Sequence, residues 1–198
     1  MNTTTSLIDR AIVLVGLMGA GKSSIGRRLA AQLKIDFTDA DAEIETAAGC
    51  SIADFFERHG EDAFRQGERR VIARLLERGP QVLATGGGAF IDPVTRKLLS
   101  DKAITIWLSA ELDLLVKRCA RRNTRPLLRA GDPREILGSL IEERYPIYRQ
   151  ADITVETDDG PHGETVDRIL AALRHRAEQQ TRHRAEEQTR HRAEPQAP

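Results

Sequence analysis

The sequence is poor in cysteine and aromatic residues and carries no net charge. Its two cysteines, Cys50 and Cys119, lie far apart and outside any metal-binding spacing, so we expect packing roles in a reducing compartment. The 30 basic and 30 acidic side chains balance, which excludes a global field toward nucleic acid or membrane. No apolar run approaches the length of a membrane span. A chain of 198 residues can bury one sizeable core and fits a single catalytic domain.

The first ten residues are polar and too short for a signal or transit peptide. We therefore expect a cytoplasmic protein with an N-terminal extension over residues 1–10. We also expect a monomer with no nucleic-acid or membrane partner.

Short apolar runs alternate with helical patterns along the chain. Ser51 with Asp54 has the form of a capping box, while Asp92 and Asp132 each precede a proline at a predicted helix start. The alternation predicts an α/β three-layer sandwich around a parallel five-stranded sheet, with ligands beyond the carboxyl ends of the strands. The predicted strands are residues 11–15, 35–38, 82–85, 103–108 and 153–156.

The most informative motif is a glycine-rich loop at residues 16–23, which reads Gly-Leu-Met-Gly-Ala-Gly-Lys-Ser. It lies between an apolar strand and a helix-forming segment, the context of a phosphate-binding P-loop. Backbone N–H groups would cradle the phosphates of ATP, Lys22 would reach the β and γ phosphates, and Ser23 would bind Mg²⁺. The predicted ATP-binding residues of the loop are Gly19, Ala20, Gly21, Lys22, Ser23 and Ser24.

Two carboxylates, Asp39 and Asp41, follow the second predicted strand. Where a chain leaves a strand, neighbouring side chains can face different parts of one crevice. One carboxylate could hold magnesium through water while the other accepts a substrate proton. A solvated loop or a helix cap is the alternative interpretation.

Further motifs follow in order: Phe-Arg at 64–65 with Glu68, three glycines at 86–88, Arg-Pro-Leu-Leu at 125–128, and Arg-Tyr-Pro-Ile-Tyr-Arg at 144–149. With these motifs the chain closely resembles shikimate kinase, a small P-loop kinase of the nucleoside-monophosphate-kinase-like group. The resemblance covers residues 11–173 and rests on the order and spacing of the motifs. It implies transfer of the γ-phosphoryl group of ATP to the 3-hydroxyl of shikimate, a step toward chorismate and the aromatic amino acids.

The resemblance also implies roles for individual residues. Asp39 would belong to the magnesium shell, with Ser23 as the direct ligand. Asp41 would bind the substrate hydroxyls and orient or deprotonate the attacking one. Arg65 and Arg144 would clamp the shikimate carboxylate, a task that suits the guanidinium fork.

Two of these assignments have structural alternatives. Arg65 could simply form a surface ion pair with Glu68, although the same glutamate could also orient the arginine. Gly86, Gly87 and Gly88 would let backbone amides approach the substrate ring, or they could form an ordinary turn between strand and helix. Gly67 costs a helix about 1 kcal/mol against alanine, which we would explain by close packing.

Residues 118–132 are rich in arginine, with glycine and proline nearby, and their composition suits a mobile lid. Phosphoryl transfer needs cations near the migrating group and exclusion of water. Arg125 would reach the transferring phosphate when the lid closes. Arg118 would lie against the adenine, although Arg121 or Arg122 could serve instead.

From residue 174 an eight-residue unit beginning Arg-His-Arg-Ala-Glu repeats three times. No unit has a large apolar side chain, so residues 174–198 are either disordered or a solvated extension of the preceding helix. The segment would be a dispensable expansion or a weak tether for an anion or nucleic acid.

Two other functions fit parts of the pattern. A kinase for gluconate or a nucleoside monophosphate would use the same scaffold, but Arg65, Arg144 and the triple glycine suit a small carboxylated ring better. A nucleotide-dependent switch would bind ATP without an acceptor, and it would have no use for Asp41 beside the metal.

Overall fold

The computed structural model describes residues 9–120 and 131–193, with side chains as far as residue 182. The elements are, in chain order, β1 (Ala11–Val15), α1 (Lys22–Leu33), β2 (Asp36–Asp39), α2 (Ala40–Ala48), α3 (Ile52–Leu76), β3 (Gln81–Ala84), α4 (Pro93–Lys102), β4 (Ala103–Ala110), α5 (Leu112–Ala120), α6 (Pro133–Tyr148), β5 (Ile153–Thr157) and α7 (His162–Ala193).

The strands form one parallel sheet in the order β2-β3-β1-β4-β5. This confirms the predicted five-stranded α/β fold, and each strand lies within two residues of its predicted bounds. After α1 the chain forms β2 and β3 on one side of the central β1, and after α4 it forms β4 and β5 on the other side. This change of direction opens a crevice beyond the carboxyl end of β1.

The core lies on both faces of β1, whose five residues are all buried. Such burial explains why the strand is a continuous apolar run and not an alternating one. Trp107 on β4 is 4% exposed, so it is a core residue. Cys119 is buried and Cys50 is half-buried, in line with packing roles.

Three predicted helix caps are present. Ser51 Oγ accepts a hydrogen bond from Asp54 N at 3.1 Å, and Asp92 and Asp132 cap α4 and α6 through their carboxylates. The packing explanation for Gly67 is wrong, because a Cβ built there would have nothing within 4 Å. Helix α3 is instead interrupted at Gly60, whose φ of 75° favours glycine.

The helix α7 continues through residues 174–193 of the repeat. Near the start of the repeat, Arg176 Nη2 donates to Asp152 Oδ1 at 2.8 Å. Asp152 Oδ2 in turn accepts a hydrogen bond from Thr105 N at 2.9 Å. Over residues 9–120 and 131–193, no helix has both the length and the apolar character needed to cross a membrane.

Candidate active site

The P-loop turns sharply at the carboxyl end of β1 and leads into α1. Gly16, Gly19 and Gly21 have φ values of 133°, 85° and 96°, which other residues rarely adopt. Gly21 is the N-cap of α1 and has no side chain to satisfy the first helical N–H groups. The positive end of the helix dipole is therefore available to an anion at the loop.

Lys22, the first residue of α1, folds back over the loop. Its Nζ donates to Gly16 O at 2.7 Å and to Leu17 O at 2.9 Å. The ammonium group is thereby held at the mouth of the loop, where the phosphate chain of a nucleotide would pass.

Strand register brings Asp39 to the same edge of the sheet as the P-loop. Asp39 is the register partner of Ala84, and Ala84 is the partner of Leu14. The Ser23 hydroxyl donates to Asp39 Oδ2 at 2.7 Å, and Asp39 Oδ1 accepts from Asp41 N at 3.2 Å. Asp39 is thus both the N-cap of α2 and a hydrogen-bond partner of the P-loop serine.

The pair of Ser23 and Asp39 suits Mg²⁺ better than it suits a metal ion whose ligands are all protein side chains. Over residues 9–120 and 131–182, no three His, Cys, Asp or Glu side chains lie close enough to hold a metal by themselves. Mg²⁺ commonly takes few protein oxygens and completes its shell with water and substrate phosphates. One hydroxyl and one carboxylate beside the phosphate loop fit that requirement.

A cavity of about 560 Å³ lies over the P-loop. Asp39, Asp41 and Gly87 line one side of it, and Arg118 with residues 159–162 lines the other. Arg118 donates to Gly19 O at 3.3 Å and to Asp158 O at 2.6 Å, so it links the P-loop to the segment before α7. Burial lowers the pKa of His162 at this side, and the charges of Arg118 and Arg28 lower it further.

On the acceptor side, Arg65 and Glu68 form a largely buried ion pair. Arg65 Nη1 lies 2.6 Å from Glu68 Oε2, and Glu68 is 1% exposed. Burial raises the pKa of Glu68, the charge and hydrogen bond of Arg65 lower it, and the charges of Asp41 and Asp92 raise it, with a net upward shift. A surface ion pair is therefore the wrong description, and Glu68 holds the arginine in place from below.

Two of the three glycines leave room for the side chains of Asp41 and Arg65. A Cβ on Gly86 would lie 2.7 Å from Asp41 Oδ1, and one on Gly88 would lie 2.7 Å from Arg65 Nη1. At Gly87 the nearest atoms would be 3.7 Å away, and they belong to the P-loop residues Gly16 and Met18. The segment is also a turn, and the close approach that the structure describes is made by the protein's own side chains.

Arg144 lies on α6 with its side chain 17% exposed. Its Nε is buried, lies 3.8 Å from Glu143 Oε1 and has no hydrogen-bond partner among the described residues. Burial raises the pKa of Tyr148, while the charge of Arg144, a hydrogen bond with Arg144 and the charge of Arg65 lower that pKa by less. The two predicted carboxylate-binding arginines are therefore brought near the same phenol.

The sequence interpretation gave no role to Arg69 and Asp92 at this site. Arg69 makes two hydrogen bonds to the Asp92 carboxylate, at 2.8 and 2.9 Å, and Asp92 N donates to Gly88 O at 3.4 Å. The pair ties α3 to the end of the glycine segment. The sequence could have indicated a role for Arg69 near the site, because Arg69 lies one helical turn beyond Arg65 on the same face.

The predicted lid is described only at its two ends. Arg118 lies in the last turn of α5 and Asp132 caps α6. Arg125, Arg121 and Arg122 lie outside the described residues.

The P-loop and the glycine segment meet at Gly87, so a phosphate donor and a small acceptor would lie side by side at the carboxyl edge of the sheet. This arrangement defines the class: a P-loop kinase that acts on a small molecule. A family model described as shikimate kinase matches residues 18–174. The chain belongs to the shikimate kinase family.

Individual relatives agree with the family model. The shikimate kinase of Paramagnetospirillum magneticum is 60% identical over 166 residues, which cover 84% of this chain and 85% of that protein. The shikimate kinase of Caulobacter vibrioides is 56% identical over 165 residues, covering 83% and 82%. The structure of an Acinetobacter baumannii shikimate kinase in complex with shikimate is similar with a TM-score of 0.81 and 38% identity, covering 86% of this chain and 96% of that one.

Proposed function

We propose that this chain transfers the γ-phosphoryl group of ATP to the 3-hydroxyl of shikimate and forms shikimate 3-phosphate on the route to chorismate. The observation that carries the proposal is the position of Arg65 and Asp41 against the glycines of a segment that touches the P-loop. A carboxylated ring bound there would have its acid group on arginine and a hydroxyl beside Asp41, next to the donor phosphate.

On the donor side, the amides of Gly19, Ala20 and Gly21 would hold the phosphates, and Ser24 would add a contact. The ammonium group of Lys22 would leave the backbone carbonyls of Gly16 and Leu17 and bind the β and γ phosphate oxygens. One set of hydrogen-bond acceptors would thereby replace another. Arg118 would lie against the adenine on the far side of the cavity.

Ser23 would bind Mg²⁺ directly and Asp39 would bind it through water. The ion, when bound, would neutralise charge on the phosphates during transfer. The hydrogen bond between Ser23 and Asp39 supports this assignment because it places a hydroxyl and a carboxylate together at the loop.

On the acceptor side, Arg65 and Arg144 would bind the carboxylate, and Glu68 would orient Arg65. Asp41 would align the attacking hydroxyl and accept its proton. The peptide groups at Gly86, Gly87 and Gly88 would contact the ring. Arg125 would approach the transferring phosphate from a lid over residues 118–132.

We further propose a monomeric, cytoplasmic enzyme in which residues 11–173 form the catalytic domain. Residues 1–10 would be an extension, and residues 174–198 a solvated appendage without a role in turnover. The ion pair of Arg176 with Asp152 would fix only the first turn of that appendage.

The test is a coupled assay of ADP release with shikimate, quinate and gluconate as acceptors. We expect kcat/KM for shikimate to exceed the other two by about 100-fold or more, since a site built to bind polar groups rejects analogues that leave them unpaired. A higher value for gluconate would overturn the acceptor assignment. ADP release that no acceptor stimulates would favour a nucleotide switch.

A further inference from the structure

Tyr148 has no role so far, although it belongs to the motif at residues 144–149. Its side chain is fully buried, and its ring stacks on Phe90 and Trp107 with centroid distances of 6.4 and 6.1 Å. The hydroxyl donates to the carbonyl oxygen of Gly87. A buried tyrosine needs a partner for its hydroxyl, but here the partner is the middle residue of the acceptor segment.

Gly87 is the residue at which the acceptor segment lies against the P-loop. Its neighbours Gly86 and Gly88 face Asp41 and Arg65. A peptide group is planar, so its carbonyl and its N–H point in opposite directions. A hydrogen bond to the carbonyl of Gly87 therefore also fixes the direction of the Gly88 N–H, on the side away from Tyr148.

Packing alone does not account for a phenol at this position. The ring contacts would be the same for phenylalanine, and Phe90 beside it shows that a plain phenyl ring fits this part of the core. The hydroxyl is what distinguishes tyrosine here, and burial raises its pKa, so it stays a proton donor.

We propose that Tyr148 is a positioning residue for the acceptor: its hydroxyl holds Gly87 and thereby sets the glycine segment at the distance from the P-loop that transfer needs. The proposal rests on the proposed function, because it concerns the same acceptor site. Arg144 lies one turn earlier in α6, so a single helix carries both a predicted carboxylate ligand and the anchor of the glycine segment.

Tyr145 provides a matched control in the same helix. Its ring packs against Trp107 at 4.9 Å, and its hydroxyl donates to the backbone carbonyl of Ala110, away from the glycine segment. Tyr148→Phe and Tyr145→Phe therefore each remove one hydroxyl from the same aromatic cluster. Only the first removal frees the acceptor segment.

The experiment measures KM for shikimate, KM for ATP, kcat and Tm for the two variants and the unsubstituted protein. We expect Tyr148→Phe to raise KM for shikimate about tenfold, because the segment must be reordered on binding, with KM for ATP within about twofold. Tyr145→Phe should leave both KM values within about twofold. Equal shikimate KM values in the two variants would overturn the proposal, as would a parallel rise in both KM values of Tyr148→Phe.

A second measurement avoids dependence on the stability of Tyr148→Phe. The chain has 2 tyrosines, so 3-fluorotyrosine incorporated into Tyr145→Phe labels position 148 alone. We expect the ¹⁹F resonance to shift when shikimate is added and to stay in place when quinate is added; no shift with shikimate would overturn the positioning role. If the unsubstituted protein does not phosphorylate shikimate, the proposed function itself is refuted. A failure of the positioning role alone would instead leave the unsubstituted protein active.

Discussion

Substituting alanine for Gly88 should damage shikimate binding without unfolding the protein. The new Cβ would lie 2.7 Å from Arg65 Nη1 and 2.8 Å from its Cζ, whereas ordinary contacts begin at 3.4 Å. The guanidinium must therefore move by close to 1 Å or more, since atoms resist such overlap steeply. The backbone at Gly88 is free of strain for alanine, because its φ lies outside the left-handed region.

The size of the effect follows from what Arg65 is proposed to do. A charge-assisted hydrogen bond contributes roughly 1.5–3 kcal/mol, so its loss corresponds to about a 10- to 150-fold rise in KM for shikimate. The ion pair with Glu68 would be distorted but not removed, and the atoms that must shift are the far end of a flexible side chain. We therefore expect Tm to fall by no more than a few degrees, about 1 kcal/mol or less.

The assay is steady-state kinetics with ATP and shikimate varied in turn, together with thermal unfolding. Gly67→Ala, in the helix that carries Arg65, is the control, because a Cβ built there would have nothing within 4 Å. KM for shikimate should rise in Gly88→Ala and stay near the original in Gly67→Ala, while KM for ATP changes in neither. A Gly88→Ala variant with unchanged shikimate KM would refute the role given to Arg65.

Three further outcomes are expected. Asp41→Asn should reduce kcat by about 100-fold or more while ATP still binds in calorimetry, since only the alignment of the acceptor hydroxyl is lost; near-normal turnover would exclude that role. Asp92→Ala should lower stability by about 1–2 kcal/mol at pH 7, because it removes the cap of α4 and the partner of Arg69. Burial raises the pKa of Asp92, but hydrogen bonds from Thr95 and Arg69 together lower it by more, so the pKa lies below the ordinary value of 3.8. The stabilisation is therefore fully present above pH 3.8 and is lost as the pH falls through the lowered pKa. The difference in Tm should therefore shrink below pH 3.8, and a constant difference would contradict the assignment. Chains ending at Arg182 and at Leu173 should both keep full turnover. Tm should be slightly lower only for the chain ending at Leu173, because it loses the half-exposed ion pair of Arg176 with Asp152. Loss of activity in either chain would show that the tail takes part in the enzyme's function.

The sheet was predictable because its three central strands, β3, β1 and β4, are largely continuous apolar runs with turn signals between them. The P-loop was predictable because its glycines and Lys22 follow a strand and begin a helix, a strictly local pattern. Helix starts such as Ser51 and Asp92 were equally local, since a cap needs only the next three residues.

Contacts between distant parts of the chain were not predictable from local pattern. The approach of Arg65 to Gly88 and the hydrogen bond from Tyr148 to Gly87 join segments separated by tens of residues, and only the tertiary packing of α3 and α6 brings them together. The buried state of Glu68 was missed for the same reason, because helical spacing shows that Arg65 and Glu68 meet but not which helix face is covered. Gly67 shows the opposite error, a local anomaly to which packing gives no explanation.

The most direct test of the account identifies the product of the full chain incubated with ATP, Mg²⁺ and shikimate. We expect shikimate 3-phosphate, recognised in ¹H–³¹P correlation spectra by coupling of the phosphorus to the proton on carbon 3, with one ADP formed for each product molecule. Phosphate on another hydroxyl would contradict the alignment by Asp41, and ADP with free inorganic phosphate but no phosphorylated shikimate would contradict the assigned activity.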